Sequence, residues 1–145
     1  MDLLSSMQIS SSGLSAQKKR MAAISSNVAN VQTTRTAEGG PYRRKEVVFG
    51  SAPIENVFSD TLDGILENKA EGVYATEIVS SNKPPILKYE PDHPDANEQG
   101  YVAYPDINTM EEMADMIATS RSYEANITAL NTAKGMATKA LEIGK

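Results

Sequence analysis

Neither end of the chain contains a proline. All seven prolines fall from Pro41 to Pro105, so about forty residues at each end escape the ~3 kcal/mol that a proline costs inside a helix. In the first stretch Leu3, Met7, Ser10, Leu14, Gln17, Met21, Ile24, Val28 and Val31 recur at steps of four and three, a heptad seam with two polar positions in it. Ser5 with Gln8 fits a capping box, which predicts a helix from about Ser5 to Val31. Gly13 and the serines at 6, 10, 11, 12, 15, 25 and 26 make that helix weak in isolation, so packing must hold it.

The last stretch predicts a stronger helix. Asn108 and Glu111 read as N-cap and N3 residues. Met113, Ile117, Ser120, Tyr123, Ile127, Leu130, Lys134, Ala137 and Leu141 again step by three and four, and Gly144 reads as the residue beyond the end. About 35 residues of helix would span on the order of 50 Å.

Heptad seams on the two ends of one chain imply an antiparallel coiled coil with everything between them as an insertion. The insertion carries strand signals instead. "KEVVF" (45–49) ends at Gly50, "GVYATEIVSS" begins at Gly72, and "NKPPILKYEPDHPDANEQGYV" reads as turn, strand, turn and strand. The expected fold class is α+β: a terminal-helix coiled-coil domain of residues 1–35 and 106–145, and a small β-rich domain of residues 36–105. Residues 51–71 form an irregular stretch within it, with room for a short helix at 61–66.

The composition excludes most chemistry. Without cysteine, disulfide frameworks, thiolate metal sites and cysteine nucleophiles are all ruled out. The single histidine, His93, sits between two prolines in a turn with no second imidazole, which makes neither a metal site nor a base for a serine nucleophile. No phosphate-binding, dinucleotide or G-x-S-x-G pattern occurs. No catalytic, cofactor-binding or metal residue is therefore expected, and Met110, Met113 and Met116 read as packing residues. The net charge of −5 disfavours nucleic acid. Asp2 stands where a secretory signal needs a basic residue, and no run approaches the length of a transmembrane span.

Once helices at both ends enclose a β insertion, one stretch stands out. "SNVANVQTTRT" resembles the Asn-x-Ala-Asn-x-x-Thr signature near the amino end of the rod and hook axial proteins of the bacterial flagellum, here Asn27, Ala29, Asn30 and Thr33. "GGPYRRKEVVF", "PDHPDANEQGYVAYPDIN" and "EEMADMIATSRSYEANITALNTAKGMATKAL" are similar to the matching parts of proximal rod members of that family. Thr34-Arg35 replaces the Gly-Phe of other relatives, and residues 51–71 match nothing. Distal rod and hook subunits are generally longer. The resemblance implies a non-enzymatic subunit of the flagellar rod where it crosses the periplasm. Its partners would be copies of itself, other rod proteins and the flagellar type III export apparatus, with no cleaved signal. A distal rod or hook-type axial subunit is the nearest alternative, and a non-flagellar coiled-coil adaptor a more remote one.

Physical expectations accompany that resemblance. A heterologous contact that does not close generates a helical filament, so the seam residues Leu3, Met7, Leu14, Met21, Ile24, Val28, Val31, Met113, Ile117, Tyr123, Ile127, Leu130, Ala137 and Leu141 are the candidates for subunit packing. Asn27 and Asn30, near a helix end, suit a left-handed backbone, a cap on orphaned carbonyls, or a bridge to the next subunit. Charge is uneven. Residues 1–50 carry seven Lys/Arg against three acids (+4) and residues 51–107 three against eleven (−8). Arg43-Arg44-Lys45 would then face the acidic 90–98 segment of a neighbour.

Overall fold

The computed structural model describes residues 3–53 and 71–143. Helix α1 (Leu3–Ala29) is followed by strands β1 (Lys45–Pro53), β2 (Glu71–Ser80), β3 (Ile86–Tyr89) and β4 (Tyr101–Tyr104), and then by helix α2 (Thr109–Ile143). This is the expected α+β class. Gly144 and residues 61–66 lie outside the described residues.

Helix α1 already runs at Leu3, so Ser5 sits inside its first turns and the Ser5–Gln8 capping box does not form. The serines that weaken the helix turn their hydroxyls onto its own carbonyls, Ser10 Oγ to Ser6 O at 2.9 Å and Ser12 Oγ to Ile9 O at 2.8 Å. The helix stops at Ala29, leaving Val31 in the turn that follows. Helix α2 begins as its sequence predicts. The Met110 N–H donates to Asn108 Oδ1 at 3.1 Å and the Glu112 N–H to Asn108 O at 3.0 Å, while Glu111 and Glu112 place negative charge in the first turn.

The two helices run antiparallel. Gly13 lies against Asn126, Arg20 against Asp115 and Asn27 against Glu112, so α2 advances as α1 recedes. A Cβ at Gly13 would stand 3.1 Å from Asn126 Nδ2; glycine is what permits that approach. The insertion is not a detached unit, because α1 packs against β1 and β2 as well as α2. The Val73 N–H of β2 donates to Ser12 Oγ on α1 at 3.1 Å.

The strands form two separate antiparallel pairs, β1 with β2 and β3 with β4, rather than a single β unit. Both reach into the stretch expected to be irregular, β1 to Pro53 and β2 from Glu71. Their register shifts between Val48 and Phe49, which pair with Glu77 and Ala75, so Thr76 is the extra residue of a bulge. Gly50 accommodates that bulge, since a Cβ there would meet Thr76 Oγ1 at 2.6 Å.

The buried apolar residues among those described are Ala16, Ala23, Ile24, Val102, Ile107 and Ala133. Three of the six are alanines on the helices, each burying little more than a methyl group worth ~0.8 kcal/mol. The helix pair is therefore close-set and thinly glued.

Candidate assembly surface

At its thick end the helix pair is joined by a polar node built on the Asn-x-Ala-Asn signature. Asn27, in the last turn of α1, is 1% exposed. Its Nδ2 donates to Lys45 O at 2.9 Å and to Glu112 Oε2 at 3.0 Å, and its Oδ1 accepts from the Lys45 N–H at 2.8 Å and the Tyr42 hydroxyl at 3.2 Å. All four hydrogen-bonding positions of the amide are filled. One side chain ties the start of β1 and the start of α2 to the end of α1. Ser26 Oγ completes the group, 2.9 Å from the Tyr42 hydroxyl.

Glu112 is also 1% exposed, and a carboxylate that deep needs a cation. Arg44 supplies it, with Nε 2.6 Å from Glu112 Oε1, and also meets Glu46 and Asp115. Burial alone would lower the Arg44 pKa, but the hydrogen bond to Glu112 and the charges of Glu112, Glu46 and Asp115 outweigh it and hold the guanidinium above its ordinary value. Asp115 reaches Arg20 of α1 as well, at 3.9 Å.

The other signature residues finish the helix end. Asn30 Nδ2 caps Ser26 O at 2.9 Å, the Thr33 hydroxyl donates to Asn30 Oδ1 at 3.1 Å, and the Tyr42 N–H returns to Thr33 O. Ala29 is exposed. Neither asparagine is left-handed, since among the described residues only glycines have positive φ. The expectation of a left-handed asparagine is corrected: Asn30 caps from the side chain, and Asn27 bridges within its own chain.

Members of both charged patches have partners inside the subunit. Arg44 is committed to Glu112 inside the subunit, and Asp95 of the acidic segment accepts from Thr34 at 2.7 Å and lies 4.0 Å from Arg35. Glu90 accepts the Tyr104 hydroxyl at 2.9 Å; that bond first, then burial and the Glu90 charge, raise the Tyr104 pKa.

The seam between the helices is displaced from the one in the apolar pattern. On α2 the inward residues are Glu112, Met116, Thr119, Tyr123, Asn126, Leu130, Ala133 and Ala137, all buried or half-buried and stepping by four and three. Tyr123, Leu130 and Ala137 are common to both patterns. Met113, Ile117, Ile127 and Leu141 are exposed instead, and Met113 and Ile117 stand with Met110 on the far side of α2. On α1, Ile24 is buried, while Met7, Leu14, Met21 and Val28 are half-buried, as is Val31 in the turn beyond it; the side chain of Leu3 lies outside the described residues.

Sequence reasoning missed Tyr42 and Glu112 as partners of Asn27, and Arg44 as the partner of Glu112. The available signal was an acid in the first turn of α2 on what became its inner face.

The helix pair is tied at one end by Asn27 and carries apolar side chains turned outward along α2, the features of an elongated structural subunit. The flagellar basal body rod protein family profile matches residues 7–35, and that of the flagellar basal body rod FlgEFG protein C-terminal region matches residues 98–143. The chain belongs to the FlgC family of flagellar basal-body rod proteins. It is 44% identical to the FlgC protein of Borreliella burgdorferi over 99% of this chain and 98% of that one, and 44% identical to that of Bacillus subtilis over 97% of each. The FlgC protein of Salmonella typhimurium is 37% identical over the full length of both. The chain is a structural subunit of the basal-body rod.

Proposed function

We propose that this chain is a proximal rod subunit that polymerises through its terminal helices and passes torque from motor to hook. Residues 1–35 and 106–145 would form the rod core and residues 36–105 the outer domain. Its partners would be copies of itself and neighbouring rod proteins. It would leave the cytoplasm through the flagellar type III export apparatus without a cleaved signal, take its place in the rod across the periplasm, and catalyse nothing. The carrying observation is the row Met110, Met113 and Ile117, between 48% and 74% exposed on a helix whose other side is already covered. Such a row loses ordered water when a neighbour covers it, at roughly 25 cal/mol per Å².

The test is genetic and biochemical. Deleting the chain from its host should leave cells without a rod and non-motile, and basal bodies purified from the parent should contain it. A deletion strain that swims, or basal bodies lacking the chain, would remove the reading. A stable small oligomer in solution, with motility unaffected by deletion, would point to the adaptor.

A further inference from the structure

We propose that the outer face of α2 docks on the outer face of α1 in a second copy of this chain, antiparallel, with Lys18 opposite Glu124. The inference rests on the rod reading and names the surfaces by which copies meet.

On α2 the row Met110, Met113 and Ile117 lies opposite the seam that faces α1. On α1 the residues facing away from both α2 and the β1–β2 pair are Ser11, Ser15, Lys18, Ala22, Ser25 and Ala29, all exposed and spaced by four and three. Apart from Lys18 this surface carries only small side chains, so a neighbouring helix can approach it closely. The methionines and isoleucine of α2 supply the volume that it lacks. Within one subunit the two faces point away from each other, so the α1 face must come from another copy. The contact is heterologous and leaves each copy with one face still open, the geometry that propagates.

Charge selects this pairing. Helix α1 contains Lys18, Lys19 and Arg20 and no acid. Arg20 is engaged with Asp115, whereas Lys18 and Lys19 make no ion pair among the described residues and are exposed. Helix α2 exposes Glu111, Arg121 and Glu124, which likewise have no ion-pair partner among the described residues, and the register places Glu124 rather than Arg121 against Lys18. Opposite charges steer and register two faces, and an α1–α1 contact would set lysine against lysine. In an antiparallel pair each step forward on one helix is a step back on the other. A register that sets Lys18 opposite Glu124 therefore also sets Ser25 opposite Ile117 and Ala29 opposite Met113.

The chain has no cysteine, so introduced pairs report without background. Basal bodies assembled from a chain carrying Ser25→Cys and Ile117→Cys should give, on mild oxidation, a ladder of covalent multimers of this chain. Ser25→Cys with Met136→Cys should give none. In parallel, Lys18→Glu should cut incorporation into basal bodies several-fold, and adding Glu124→Lys should restore it. A double-cysteine chain that assembles and supports swimming without a ladder, or a ladder to a different rod protein, overturns the face pairing and leaves the rod reading intact. If the cysteine chain does not assemble, the charge pair decides, and failure of Glu124→Lys to rescue overturns the register. Absence of the unaltered chain from basal bodies overturns the rod reading itself.

Discussion

Asn27 on α1 donates its side-chain amide to the buried carboxylate of Glu112 on α2 at 3.0 Å, and that contact fixes where two long, weakly glued helices begin to run together. The same amide holds the backbone of Lys45 from both sides. Helix pair and hairpin are therefore registered by one residue. Where the seam is alanine, glycine and threonine it has few large knobs to mark a register. The polar node supplies the specificity that the apolar contacts lack.

Replacing Arg44 with Ala should be severe, because it leaves Glu112 buried without its cation. Breaking such a pair from one side costs about 3 to 5 kcal/mol, a drop on the order of 10 °C in the thermal midpoint for a chain of this size. The double replacement Arg44→Met with Glu112→Leu should cost much less than the two single changes added together. Calorimetry or circular dichroism on the four chains measures this, and additive losses would show that the two side chains act independently.

The pH dependence of that effect has a defined sign. Burial lowers the Arg44 pKa, but the bond and charge of Glu112, with Glu46 and Asp115, raise it overall. A group whose folded pKa is raised contributes stability that is fully present below its unfolded pKa and is lost as pH rises through the folded value, here above the ordinary arginine range. The destabilisation by Arg44→Ala should thus stay constant between about pH 7 and pH 10. A loss that shrank through that window would mean another group carries the charge.

Two glycines should respond to alanine with opposite signs. Gly100 has φ +80°, and a Cβ there would stand 2.9 Å from Tyr89 Cε2 and 3.3 Å from Pro91 Cβ. Tyr89 is exposed and can swing aside, but the left-handed backbone remains, at about 1 to 2 kcal/mol. Gly135 lies inside α2 with nothing within 4 Å of the same atom, so Gly135→Ala should stabilise by about 0.5 to 1 kcal/mol. Thermal midpoints that move in the same direction would contradict the local geometry.

The helices, the Asn108 cap and the β character of the insertion were legible because each rests on local residues: absent prolines, an asparagine three positions before a glutamate, alternating Val and Ala. The seam was not, and the reason is physical. Counting apolar residues selects Met113, Ile117 and Ile127, but two helices that approach closely need small side chains between them, and Gly13, Ala16, Ala23, Thr119 and Ala133 fill that role. Glu112 lies on that inner face as well, 1% exposed. Its burial is made tolerable by Arg44, 68 positions away in sequence, a pairing that no local pattern announces. Asn27 was legible as special through its signature, yet its partners appear only once α2 folds back onto α1.

Protection against amide exchange in the monomer should be graded along the helix pair. Nucleating a helix alone is costly, and the serine-rich α1 recovers little of that cost. The node changes this at one end. The amides of residues 3–16 and 126–143 should exchange fast, while those beside Asn27 and Glu112, and the Lys45 N–H held at 2.8 Å by Asn27, should be slower. Exchange measured by mass spectrometry on a verified monomer checks it. Strong protection out to residues 3 and 143 would mean that the thin seam suffices without a neighbour.

Charge placed on the two sides of the helices should separate folding from assembly. Ile24 is 5% exposed and Ile117 is 58% exposed, so aspartate at the first must be buried where the neighbouring Arg20 and Arg44 already pair with Asp115 and Glu112, and at the second stays in water. A buried unpaired charge costs several kcal/mol. Ile24→Asp should therefore lower helicity in the monomer and abolish motility. Ile117→Asp and Ile127→Asp should leave the monomer's circular dichroism and midpoint within about 0.5 kcal/mol of the parent and still abolish motility, because their cost appears only when a neighbour covers the face. Glu71→Ala, exposed at the start of β2, is the control and should swim normally. If Ile117→Asp swims, α2 is not covered on that side in the rod; if it unfolds the monomer, the outer face is already packed within the subunit.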